Sequence, residues 1–161
     1  MAKWKMPPKA KIYEALSAVA DHRVSITGST AAEVISSSRD KAYDVGWSED
    51  LKEIASNDNA SYWQGYMGYP IVAVLLKIGK LDFNSRAVKL LEGIPWKAVN
   101  DRFKRNYDMA VEHVLEQVEA RGGERKEIIR EVQKIYDRLD ALGLQRGRLG
   151  RPPPEGGKVQ K

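Results

Sequence analysis

Residues 57–64 hold the densest run of polar and aromatic groups in the chain: Asn57, Asp58, Asn59, Ser61, Tyr62, Trp63 and Gln64. Amides and hydroxyls donate and accept hydrogen bonds, and aromatic rings offer flat faces to a base, a sugar or a peptide. Such a loop binds. The same residue types also build turns, with Asp58 and the asparagines satisfying backbone, Ser61 capping a short helix, and Trp63 and Tyr66 packing inward. A second cluster interleaves Arg102, Lys104 and Arg105 with Phe103 and Tyr107. On a helix, Arg102 and Arg105 share an edge that suits phosphate, or a solvated face balanced by Asp101 and Asp108. Arg146, Arg148 and Arg151 lie among glycines and prolines, where guanidinium groups can reach into a groove or track a single strand.

Catalysis finds no anchor among these residues. His22 and His113 stand apart in sequence, each beside charged or polar neighbours rather than a partner for proton transfer. Asp108 and Glu112 are four residues apart near His113, but no nucleophile or oxyanion donor accompanies them. Ser36, Ser37 and Ser38 lack a base, and Gly65 and Gly68 lack the lysine and spacing of a phosphate loop. The chain has no cysteine, which removes disulfides, thiolate zinc sites and thiol nucleophiles. Asp58 alone is too few carboxylates for a calcium site. The expectation is a noncatalytic protein with no metal, no cofactor and no evident small-molecule substrate.

The net charge of +5 is unevenly placed. Lys3, Lys5, Lys9 and Lys11 crowd one end, and Arg146, Arg148, Arg151, Lys158 and Lys161 the other, so residues 12–144 are net acidic. Basic arms, rather than a basic groove, are what this pattern predicts, with salt-dependent affinity for phosphates. The N-terminal residues lack the apolar run of a signal peptide, and Ile71–Leu76 is far shorter than a membrane span of about 20 residues. Cytoplasm is the expected location.

The elements that must position these groups follow from periodicity. After Pro7-Pro8, apolar residues at helical spacing predict a helix over 8–21. Strands are expected at 23–26, 31–37 and 42–47, the last two as a hairpin, with a weak fourth at 52–55. Pro70 opens a helix, apolar on nearly every side, that should be central and buried. Asn84 or Ser85 caps a short helix ending at Gly93. Pro95 then begins a long helix stopped by Gly122-Gly123, and the stripe from Ile128 to Leu142 makes a second, ending at Gly143. The architecture is α+β: a small antiparallel sheet of three to four short strands on a buried helix, then a C-terminal antiparallel helical hairpin. Residues 1–144 form one compact domain, comprising 1–22, 23–80 and 81–144, and 145–161 are a disordered basic tail.

One stretch resembles a known family. His22-Arg23-Val24, Val34-Ile35-Ser36-Ser37 and Tyr43-Asp44-Val45, followed by Ile71-Val72-Ala73-Val74-Leu75-Leu76, match the layout of the SWIM domain over residues 23–80. That family is a zinc-binding ββα module thought to bind nucleic acid or protein. Its four metal ligands would fall at Ser56, Asp58, Gly68 and Pro70, so the resemblance implies a zinc-less form stapled by packing. Two functions follow as expectations. One is a nucleic-acid-binding module using the basic ends, Asn57–Gln64, Arg102 and Arg105. The other is a protein-interaction or self-association subunit whose interface is the helical hairpin, testable by charges at Val114 or Ile135.

Overall fold

The computed structural model describes residues 2–155. Helix α1 (Ala10–Ala20) follows the Pro7-Pro8 breaker, and burial covers it almost all round, including Lys11 and Glu14. Strands β1 (Val24–Gly28), β2 (Ala31–Ile35), β3 (Ala42–Trp47) and β4 (Glu53–Ser56) form an antiparallel meander. The pairs Ala32↔Val45 and Val34↔Tyr43 set its register, and all four side chains face the core. Helix α2 (Tyr69–Lys77) has Pro70 in its first turn and buries every residue from Pro70 to Leu76 between α1 and the sheet. An apolar helix with no polar face has nowhere else to go. The expected α+β architecture is the one observed.

Helix α3 (Ser85–Leu90) is capped by Asn84, whose Oδ1 accepts from the Arg86 and Ala87 amides. The expected long helix after Pro95 is instead two helices, α4 (Trp96–Arg102) and α5 (Tyr107–Ala120). Lys104 and Arg105 adopt left-handed φ of 51° and 63° between them, and the Arg105 amide closes back on the Asn100 carbonyl at 2.9 Å. Asn106 then starts α5, its Oδ1 accepting from the Met109 amide at 3.2 Å. The cap outcompetes continuation of the helix, as asparagine does elsewhere. Helix α6 (Arg125–Leu142) returns antiparallel and ends on Gly143 at φ 59°. Val114, Val118, Ile128, Val132, Ile135 and Leu139 are all buried in the single core. The hairpin's apolar stripe therefore faces inward rather than serving as an open interface.

The ends also depart from expectation. Residues 145–155 do not form a free tail. Strand β5 (Gln145–Arg146) adds a fifth, parallel strand beside β4, so the sheet is mixed, in the order β1-β2-β3-β4-β5. The Gly147 amide donates to Ile54 O at 2.9 Å, Leu149 packs against Gly46, and Pro152 O accepts from Asn57 Nδ2 at 3.2 Å. The edge of β4 presents unpaired backbone groups, and pairing them outweighs the low apolar content of the tail. Residues 156–161, the remainder of the expected tail, lie outside the described residues. The N-terminal arm is docked in the same way. Trp4 is buried at 6% exposure, its Nε1 donates to Ile54 O at 2.8 Å, and its amide bonds to Leu144 O. Among the described residues, no helix is long and apolar enough to cross a membrane.

Candidate functional site

A cavity of about 570 Å³ opens between α1, the strand ends, the π-helical turn Ala60–Gln64, and the α4–α5 break. Its floor is charged and buried. Lys11 and Glu14, one turn apart on α1, approach to 3.2 Å, and Lys11 Nζ also sits 4.4 Å above the Tyr107 ring. Arg23, at 3% exposure, leads into β1 and anchors itself through Nη1 to Ile35 O at 2.7 Å. Asn100 reaches in from α4. Tyr43 and Tyr69 add rings in edge-to-face contact at 6.3 Å. Trp96 closes the bottom, its Nε1 donating to Ser17 Oγ at 2.8 Å.

Burial pushes the Glu14 carboxyl above its ordinary range, against the pull of Lys11, Asn100 and Arg23 beside it. Burial works to lower the Lys11 ammonium, but Glu14, Tyr107 and Tyr66 outweigh it and hold the group above its usual value. Burial also carries the Tyr43 phenol up to about 12 and raises Tyr69 further, so both stay protonated donors at neutral pH.

One property singles this cavity out. Among the described residues, the buried side-chain atoms without a hydrogen-bond partner are Glu14 Oε2, Arg23 Nε and Asn100 Oδ1, and all three residues line it. Glu14 Oε2 is ion-paired with Lys11 Nζ at 3.2 Å, and Arg23 Nε is 3.7 Å from Asp21. These atoms are almost fully occluded, so they belong to the packed wall beneath the cavity rather than to its open space.

The rim is aromatic and cationic. Trp63, at 68% exposure, stands on the π-helical turn with Tyr62 edge-on at 4.6 Å. Lys41, Lys97 and Arg105 ring the mouth, with Lys97 bonded to Asp101 at 3.0 Å. Counting the floor, Lys11, Arg23, Lys41, Lys97 and Arg105 face Glu14, Asp58 and Asp101, a cationic balance.

The sequence-derived candidates divide. Asn59, Trp63, Gln64 and Arg105 line the cavity, and Tyr62 adjoins it. Asn57 is structural: buried, with Oδ1 accepting from the Asp44 amide at 2.8 Å. Asp58 is also buried and internally bonded, accepting from Ser61 Oγ at 2.7 Å and the Ser61 amide at 3.1 Å. Ser61 Oγ in turn accepts from the Gly68 amide at 2.9 Å, and Ser56 Oγ from the Asp58 amide at 3.2 Å. Ser56, Asp58, Ser61 and Gly68 thus meet in one buried hydrogen-bonded knot. Among the described residues, no group of three or more His, Asp or Glu could hold a metal. Arg102 stacks on Phe103 away from the cavity. Arg146 covers the Trp4 ring at 4.9 Å and abuts Gly65, Arg148 is exposed, and Arg151 pairs with Asp44 at 2.8 Å.

Lys11, Glu14, Arg23, Tyr43, Tyr69 and Asn100 were not legible as site residues. On α1 the spacing of Lys11 and Glu14 matches a solvated ion pair, and only the fold turns that face inward. Comparison with curated proteins and with solved structures gives no match. A family described as uncharacterised conserved protein UCP014422 matches residues 4–145, nearly the whole of the described fold, and the chain belongs to that family.

Proposed function

We propose that this chain is a noncatalytic binding module for single-stranded nucleic acid, with one base entering the cavity beneath Trp63. The observation that carries this reading is the pairing of an exposed aromatic rim with a cationic cavity. Bases stack on exposed rings such as Tyr62 and Trp63 regardless of sequence. Lys41, Lys97 and Arg105 are spaced around the mouth to take phosphates, and Arg146 extends the cationic path past Gly65. A base paired in a duplex cannot reach the floor, so an unpaired strand is favoured. The SWIM resemblance points the same way: the knot at Asp58 would replace the metal and hold the aromatic turn in place.

The test is a tryptophan-fluorescence titration of the full chain with a ten-nucleotide single strand and its duplex, at two salt concentrations. Single-strand affinity should exceed duplex affinity and fall steeply with salt. Trp63→Ala should weaken it by about tenfold or more, and Arg105→Glu should weaken it while flattening the salt slope. Binding that ignores salt, or none at all, overturns the proposal.

A further inference from the structure

We infer that the nucleotide entering the cavity is a strand end, and that the mouth reads its terminal phosphate monoester. This deepens the reading above and rests on it for the strand, though not for the phosphate. Trp96, at 2% exposure, closes the bottom of the cavity, and about 570 Å³ is room for one nucleotide rather than a run of them. An end enters such a space directly, whereas an internal nucleotide must be turned out of a continuous backbone.

The charges at the mouth fit the same ligand. Most charged groups of the cavity are already matched. Lys11 pairs with Glu14 at 3.2 Å, Lys97 with Asp101 at 3.0 Å, Arg23 is anchored on Ile35 O, and Asp58 is held by Ser61. Lys41 and Arg105 are left over: among the described residues, neither lies within ion-pair distance of a carboxylate. Asp40, next to Lys41 in sequence, takes its hydrogen bonds from the Ser36 and Ser38 hydroxyls instead. Ser37, on the same wall, accepts through Oγ from the Lys97 amide at 3.0 Å, which leaves its hydroxyl hydrogen to donate. A phosphate monoester carries roughly −1.5 to −2 charges at neutral pH and three acceptor oxygens, whereas a phosphate inside a strand carries about one charge. Two uncompensated cations and a hydroxyl match the monoester in charge and in donors. Trp63, exposed on the same rim, offers its face to the base next to that phosphate.

The experiment titrates the full chain with thymine decamers carrying a 5′ phosphate, a 3′ phosphate or neither, with a hydroxyl-ended undecamer, and with TMP and thymidine. The undecamer adds one ordinary backbone charge and so controls for net charge alone. One phosphorylated decamer should bind about tenfold or more tighter than the hydroxyl-ended one, and the end that responds gives the polarity of the strand. Lys41→Gln and Arg105→Gln, each checked for folding by its melting curve, should each lose most of that gain. A gain no larger than the undecamer's, an equal gain at both ends, or a gain that survives in both variants overturns the inference. If hydroxyl-ended strands still bind in that case, the nucleic-acid reading stands without it. If TMP binds tighter than thymidine but no decamer binds, the phosphate inference holds and the strand reading fails. No binding of any probe overturns both.

Discussion

Glu14 is buried beside Lys11, and burying a carboxylate costs stability even where a cation pairs with it. Its pKa is raised in the folded chain by burial, so between the unfolded value of 4.5 and the higher folded one the native state binds more protons than the unfolded state. Stability contributed by this group is therefore full below pH 4.5 and is lost as pH rises through that window. Lys11, Arg23 and Asn100 face it and reduce the loss without removing it. Glu14→Gln removes this titration but leaves the buried Lys11 ammonium without its carboxylate. It should therefore flatten the pH dependence of melting while lowering the thermal midpoint at neutral pH by about 2–4 °C per kcal/mol lost. Gly68 is a steric case. A Cβ there would sit 1.9 Å from Asp58 Oδ2, inside the knot. Gly68→Ala should cost about 2–4 kcal/mol in urea unfolding, although Gly68 has ordinary φ of −70° and nothing in its sequence context flags it. At this scale the sequence marked Asn57–Gln64 as a polar and aromatic cluster, but not which members point outward. Asn57 and Asp58 look as available as Asn59 and Gln64 until the β3 backbone and Ser61 are seen to use them.

Most elements were legible because each had both a period and a punctuation mark: Pro7-Pro8 before α1, Pro70 at α2, Asn84 before α3, Gly143 after α6. The break between α4 and α5 has a mark too, Asn106, but an asparagine inside an unbroken apolar period reads as a solvated position. Two measurements address it. Asn106→Ala removes the acceptor for Met109 and should cost about 0.5–2 kcal/mol. Lys104→Gly should be neutral or stabilising by up to about 1 kcal/mol, because left-handed φ suits glycine; within a continuous helix the same change would destabilise. Strand β5 was invisible for another reason. Two residues carry no period, and what draws them in is the exposed edge of β4, a property of the folded sheet alone. A chain ending at residue 144 should therefore lose several kcal/mol relative to one ending at 155, since it lacks the backbone pairing of Gln145, Arg146 and Gly147 and uncovers Trp4.

At the scale of the whole molecule, one core joins the sheet, α2 and the helical hairpin, so side chains that look like a sticky stripe in sequence are interior. Val114 and Ile135 are fully buried. Val114→Glu should unfold the protein, at a cost above about 3 kcal/mol, rather than convert a dimer to a folded monomer. Circular dichroism and sedimentation together distinguish these outcomes. Within the described residues, the basic arms likewise belong to the body. Lys3 pairs with Gln145, Lys5 with Tyr66, and Arg146 bonds to Ala2. Residues from the two ends are laid side by side on one sheet edge, and that arrangement sets an order of events during synthesis. Trp4 is synthesised well before the Leu144 carbonyl and the Arg146 cation that hold it. A nascent chain must therefore carry an undocked indole until residues 144–146 have been made. The sheet and α1–α2 layer can gather early, but the seam at Trp4 closes only once the end of α6 has emerged.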